Sequence, residues 1–144
     1  MADIGLVFDS GVKTLELKDE KGNSVEVSFN PYDALFLFSI MDAAEKLDAE
    51  QAKLRVPTAD NWRDYYKTAL DVDKSMKKII DDLFGAPICE TLFPRQTVYA
   101  VGNGLPVWTN LLYAVVDHMD VGLAEEKKKA QERIRKYSAK YKKK

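Results

Sequence analysis

The sequence of 144 residues contains a single cysteine and a single histidine. One cysteine, Cys89, excludes an internal disulfide and is typical of proteins in a reducing compartment. One histidine, His118, argues against histidine-rich metal sites and histidine-based catalysis. No run of about 18 apolar residues is present, which excludes a transmembrane helix, and the N-terminus lacks the features of a secretory signal. Composition therefore argues against most common enzyme classes, and we expect no catalytic residues, no cofactor, no metal and no membrane contact.

Basic residues are sparse along most of the chain and concentrated at its end. The whole sequence has 22 basic and 23 acidic residues, but residues 125–144 have ten basic and three acidic, a net charge of +7. The preceding 124 residues have 12 basic and 20 acidic, a net charge of −8. Such asymmetry indicates an interaction segment, for which nucleic acid and an acidic protein surface are both eligible. A solvated, disordered end is the remaining alternative.

Residues 1–30 alternate apolar and polar side chains between turn signals at Asp9–Gly11 and Lys21–Asn23. This pattern predicts a three-stranded antiparallel meander with one apolar face that the rest of the chain covers. The apolar residues of the three expected strands are Ile4, Leu6 and Phe8, then Leu15 and Leu17, then Val25, Val27 and Phe29.

The following residues have helical periodicity. A first helix is predicted from an Asn30 cap to the breaker at Val56-Pro57, and a second from Thr58 or Asp60 to Gly85. The apolar residues of the first are Leu37, Ile40, Met41, Ala44 and Leu47, and those of the second form a heptad seam of Tyr65, Ala69, Val72, Met76, Ile79 and Leu83.

The last third of the chain predicts a short helix at Ala86–Phe93, a turn at Gly102–Gly104, and a final helix starting at Pro106. We expect the Trp108–Met119 face of that helix to pack against the heptad seam in one core. Beyond Gly122 the helix could continue or break. The predicted fold is α+β, with the small meander packed on a mostly helical body and a long C-terminal helix. Its domain boundaries are 1–124 (1–30 meander, 31–124 helical body) and 125–144 (basic extension).

Three possible sites of chemistry receive structural interpretations. His118 beside Asp117 is predicted to be a structural or surface histidine rather than a catalytic base, because adjacent residues on a helix diverge. Cys89 lies among apolar residues and is predicted to be buried and unreactive. Asp71, Asp73 and Ser75 imitate the first ligands of a calcium loop, but the heptad seam runs through the same segment at Val72 and Met76, so we interpret the three residues as a solvated acidic helix face.

The order of segments resembles the tail assembly chaperones of long-tailed phages and prophages of Gram-positive bacteria. The resemblance rests on a β N-terminus, a long helix, a last helix and a basic end, over roughly residues 20–140. The segments that show it are SFNPYDALFLFSIMDAAEKLD, MKKIIDDLFGAPICETLF, GLPVWTNLLYAVVDHMD and ERIRKYSAKYKKK.

The resemblance implies a non-enzymatic role in the bacterial host cytoplasm, with the protein absent from the mature virion. The implied partners are the tape measure protein and the tail tube protein. It also implies a longer product, made by ribosomal frameshifting near the Lys142–Lys144 codons. The alternative function is that of a nucleic-acid-binding accessory protein acting through the basic extension, where tyrosines could stack on bases.

We expect two sets of residues to bind partners. Phe36 and Phe38, if left outside the core, would serve a weak self-association. The residues expected to bind a partner in the extension are Arg133, Arg135, Lys136, Tyr137, Lys140 and Tyr141.

Overall fold

The computed structural model describes residues 2–54, 58 and 60–142, without the side chains of residues 120, 121, 123 and 137–142. It confirms an α+β fold with a mostly helical body and a long C-terminal helix. The elements are β1 (Lys13–Lys18), β2 (Ser24–Phe29), α1 (Ala34–Gln51), α2 (Trp62–Phe84), α3 (Cys89–Leu92), β3 (Val101–Gly102), β4 (Leu105–Pro106) and α4 (Val107–Lys142).

The N-terminal sheet is a two-stranded antiparallel hairpin, paired from Lys13 opposite Phe29 to Lys18 opposite Ser24. Its inner face contributes Leu17, Val27 and Phe29 to the core. The predicted third strand is wrong, because residues 4–8 have no strand partner in the described chain and their large apolar side chains are exposed.

The chain before β1 is held toward the end of β2. Asn30, directly after β2, donates a hydrogen bond from Nδ2 to the carbonyl oxygen of Ser10 at 3.2 Å. Gly11 has a φ of 80°, and a Cβ there would lie 2.6 Å from Asn30 Nδ2, so this approach needs glycine. This contact continues the register of the hairpin, in which Lys13 lies opposite Phe29, and residues 4–8 form no further strand in the described chain.

The first helix begins later than predicted. Asp33, not Asn30, is its N-cap and accepts a hydrogen bond from the Leu35 amide at 3.0 Å. Asn30 instead accepts from the Tyr32 amide in a turn before the helix. The helix ends at Gln51, and the predicted breaker at Val56-Pro57 lies outside the described residues.

The core face of α1 is rotated from the predicted stripe. Its buried residues are Ile40, Ala43 and Leu47, whereas Leu37 and Met41 are exposed. The rotation follows from Phe36, which stacks on Phe29 of β2 with ring centroids 4.1 Å apart and so turns its own side of α1 inward.

The second helix begins at Trp62 after Asn61 and ends, as predicted, at a left-handed Gly85 with φ 66°. Its buried apolar residues are Val72, Met76, Ile80 and Phe84. Val72 and Met76 belong to the predicted seam, whereas the other predicted seam residues, Tyr65, Ala69, Ile79 and Leu83, are only partly buried. The helix packs mainly on α1 rather than directly on α4. A single core still includes the inner faces of all three helices, as expected.

The last helix follows a tight hairpin. Asn103 and Gly104 both have positive φ, 53° and 81°, as a two-residue hairpin turn between β3 and β4 requires. The buried residues of α4 are Trp108, Leu112, Val115 and Met119, which confirms the predicted face. The helix then continues without a break through Gly122 to Lys142, across the predicted boundary at 124/125.

Gly122 lies under the ring of Tyr32. A Cβ at this position would overlap the Tyr32 hydroxyl and ring carbons, so no larger residue could keep the same contact. The absence of a side chain therefore serves close packing of the chain before α1 on the middle of α4. Among the described residues, no helix combines the length and apolarity needed to cross a membrane.

Met76 and Met41 allow a matched test of the core. Met76 is 0% exposed and Met41 is 55% exposed. Met76→Asp should lower the free energy of unfolding by about 3–5 kcal/mol, because it buries an unpaired charge. Met41→Asp should change it by less than about 0.5 kcal/mol. Urea denaturation of both variants measures this, and equal stabilities would contradict the assignment of the core.

Candidate functional site

The described residues contain no group of three or more histidine, cysteine or carboxylate side chains that could hold a metal ion. The calcium-loop imitation lies within α2, as expected. One part of that interpretation is wrong: Asp73 is not solvated but 8% exposed, whereas Asp71 is exposed.

Asp73 joins α2 to the loop before α4. Its Oδ1 accepts a hydrogen bond from the Val98 amide at 2.8 Å, and its Oδ2 lies 2.8 Å from Lys77 Nζ. The Lys77 ammonium also donates to the carbonyl oxygen of Gln96 at 3.1 Å. These partners satisfy the buried carboxylate and assign it a structural role.

Cys89 is buried beside α2, as predicted. Its amide donates to Asp81 Oδ1 at 3.0 Å, which fixes the start of α3. Burial raises the pKa of the Cys89 thiol far above its usual value, and the adjacent Asp81 carboxylate raises it further. The thiol is therefore protonated at neutral pH and is not suited to nucleophilic chemistry.

His118 is exposed, one of the two predicted alternatives, and lines an open groove of about 970 Å³. The groove separates β1 from α4, and its apolar surface includes Leu15, Leu92, Phe93 and Leu111. No pair of oriented acid and base groups accompanies His118 there. An open, partly apolar groove beside a strand suits a peptide segment better than a reacting small molecule.

The outer face of α1 bears an apolar stripe of Leu35, Phe38 and Met41, which are 72%, 61% and 55% exposed. It lies opposite the core-facing side of the helix, at a spacing of three residues. Phe38 thus remains available for binding a partner, whereas the expectation for Phe36 is wrong. Phe36 packs against the core between Phe29 and Phe84.

The second half of α4 is a basic helix. From Ala124 to Lys136 its side chains are exposed, apart from Glu126, which is partly covered and lies 3.9 Å from Lys13 of β1. Arg133, Arg135 and Lys136 are exposed on it as separate cations. The side chains of Tyr137, Lys140 and Tyr141 lie outside the described residues.

The sequence interpretation missed two exposed apolar features. One is most of the apolar stripe of α1: exposure of Phe38 was considered, but Leu35 was not singled out and Met41 was assigned to the core face. The other is the N-terminal segment, assigned to a strand because its residues alternate. The exposed stripe of α1 could have been anticipated from the size of the sheet. One hairpin covers only one face of a helix, so apolar residues on the other faces of α1 remain exposed unless another element covers them.

Comparison with models of protein families, with curated proteins and with solved structures gave no match.

Asp73 and Asp71 give a matched pair on one helix. Asp73→Ala should lower the free energy of unfolding by about 1–3 kcal/mol, because it leaves the buried Val98 amide without an acceptor. Asp71→Ala removes a solvated carboxylate and should change stability by less than about 0.5 kcal/mol. Thermal and urea denaturation check this. A loss no larger for Asp73→Ala than for Asp71→Ala would contradict the structural role of Asp73.

Proposed function

We propose that this chain is a non-enzymatic tail assembly chaperone of a long-tailed phage or prophage. In this proposal it binds the tape measure protein in the host cytoplasm, keeps it soluble during assembly and helps to recruit tail tube subunits. The proposal extends the sequence resemblance, and the observation that carries it is the apolar stripe of α1.

The apolar stripe supports the binding of a helical client. Leu35, Phe38 and Met41 form one exposed face, which a soluble monomer has no reason to keep uncovered unless a partner uses it. An amphipathic helix can lay its apolar side on such a face. Met41 adds an unbranched, polarizable side chain, which adapts to different apolar sequences and so suits a long client of varied composition.

The basic helix supports a role in recruitment. With 36 residues α4 is about 54 Å long at 1.5 Å per residue. Its cations at 127–129 and at Arg133, Arg135 and Lys136 spread over about two thirds of the helix circumference at 3.6 residues per turn, rather than forming one narrow stripe. This arrangement favours a solvated helix that meets acidic surfaces from several directions, and it provides no single face for following a nucleic-acid backbone.

The proposal predicts that a long, coiled-coil-rich reading frame next to this gene encodes the tape measure protein, and co-expression with the product of that frame tests the function. Wild-type protein should keep the tape measure protein soluble and be recovered in a complex with it. Phe38→Glu should abolish that recovery without changing the melting temperature, because Phe38 is exposed and a charge there opposes an apolar client. Tyr113→Glu, at a residue 57% exposed on α4, is the control and should retain the complex. Recovery of equal complex with both variants would count against the stripe, and insolubility of the client beside wild-type protein would refute the function.

Nucleic-acid binding is the alternative, since the exposed cations of α4 would favour it. We expect labelled duplex and single-stranded DNA to bind only weakly at physiological salt in fluorescence anisotropy, without sequence preference. A protein that neutralises several phosphates would instead bind at low salt and lose affinity steeply as salt rises. Micromolar or tighter binding at physiological salt, lost on changing Arg133, Arg135 and Lys136 to Gln, would favour the alternative over the chaperone.

A further inference from the structure

The groove between β1 and α4 follows an unpaired strand edge. Side chains from both faces of β1 line it, Leu15 and Leu17 as well as Glu16 and Lys18, whereas no residue of β2 does. In the described chain β1 has β2 as its only ladder partner. The other edge of β1 therefore presents backbone donors and acceptors to the groove, and α4 bounds the groove on its far side. An edge of this kind is a template for one further strand.

The N-terminal arm, residues 4–8, has the properties of that strand. Its large apolar side chains, Ile4, Leu6, Val7 and Phe8, are 77–100% exposed. The arm alternates, so that in an extended conformation Ile4, Leu6 and Phe8 share one side and Val7 lies on the other. Leaving such a segment in water is unfavourable, and its pattern requires a partner with one apolar side.

The arm does not occupy the groove of its own chain, because none of residues 4–8 lines the groove and their large apolar side chains are exposed. The chain bends before β1, where Asp9 Oδ1 accepts a hydrogen bond from the Gly11 amide at 2.8 Å and the Ser10 carbonyl oxygen accepts one from Asn30 Nδ2 at 3.2 Å. The described chain thus contains an alternating segment without a strand partner and a strand edge without a neighbouring strand.

We propose that two copies of this chain form a dimer by exchanging arms, with residues 4–8 of each copy added to the unpaired edge of β1 in the other. Ile4, Leu6 and Phe8 face the apolar side of the groove, and Val7 faces solvent. The exchange is reciprocal, so two-fold symmetry satisfies both edges at once. This proposal does not depend on the chaperone function or on the apolar stripe of α1.

Charges on the groove rim restrict the register. Lys18, Lys21 and Arg95 lie on the rim and can pair with Asp3 and Asp9 at the two ends of the arm. The rim also has acidic residues, Glu16, Asp19 and Glu20. A register that placed Asp3 or Asp9 against these would be disfavoured by like-charge repulsion.

Sedimentation velocity of the full chain, from micromolar to submillimolar concentration, tests the exchange. Wild-type protein should shift from a 16.3 kDa monomer to a species of twice that mass. Leu6→Lys should raise the dissociation constant about tenfold or more, because it places a charge against the apolar groove. Val7→Lys adds the same charge on the solvent side and should leave the dissociation constant within about twofold.

A second pair of variants tests the acceptor. Ala114 is exposed on α4 and lines the groove, whereas Ala124 is exposed on the same helix outside it. Ala114→Arg should fill the groove and prevent dimer formation, and Ala124→Arg should not. Since all four positions are exposed, unchanged melting temperatures of the monomers should show that the variants fold.

Mixing two defective chains tests whether the arm of one copy binds the groove of another, as opposed to a dimer contact elsewhere on the surface. Leu6→Lys keeps an intact groove, and Ala114→Arg keeps an intact arm, so the mixture should form a heterodimer through one arm, weaker than the wild-type dimer, although each variant alone is monomeric. Tags of different mass identify the heterodimer. Wild-type protein that remains monomeric at submillimolar concentration, a mixture that fails to associate, or an equal effect of Leu6→Lys and Val7→Lys would overturn the proposal.

Discussion

The buried carboxylate of Asp73 is the interaction on which the arrangement of the helices depends. By accepting the Val98 amide it fixes the loop that leads into α4, and the Val98 carbonyl oxygen in turn accepts from the Trp108 amide at 3.0 Å. Trp108 then donates from its indole nitrogen to Gln51 at the end of α1, at 2.7 Å. One chain of hydrogen bonds therefore joins α2, the loop, α4 and α1. Lys77 neutralises the Asp73 carboxylate, from which this chain of hydrogen bonds starts.

The arrangement of the helices that these hydrogen bonds fix determines which surfaces remain exposed. With its buried side occupied by α2 and the hairpin, α1 presents Phe38 and Met41 outward. With its first turns held by the loop, α4 passes beside β1 but leaves a groove along that strand. The exposed stripe and the unpaired edge are thus consequences of how a small hairpin and three long helices divide one core. A two-stranded sheet is too small to cover both neighbours.

Much of this architecture was predictable, because it follows from local rules. Helical periodicity identified the long helices and placed Met76 in the core, and the Asn103-Gly104 turn follows from residues that tolerate positive φ. Tertiary contacts decided what was missed. No pattern indicates that Asp73, among exposed carboxylates, faces a loop 25 residues away. Nor does alternation in residues 4–8 reveal that this segment lacks a strand partner in the described chain.

Gly122 is compatible with both alternatives that the sequence left open, a break in the last helix and its continuation. Its low helix propensity predicts a break, at a cost of about 1 kcal/mol relative to alanine. The ring of Tyr32 occupies the place of its missing side chain, so the same glycine allows the chain before α1 to lie against an unbroken α4. Four residues further on, Glu126 approaches Lys13 at 3.9 Å. The basic helix is therefore a direct continuation of the packed half of α4 and leaves the body beside β1. Its first cations are placed by that helix and not by a flexible linker.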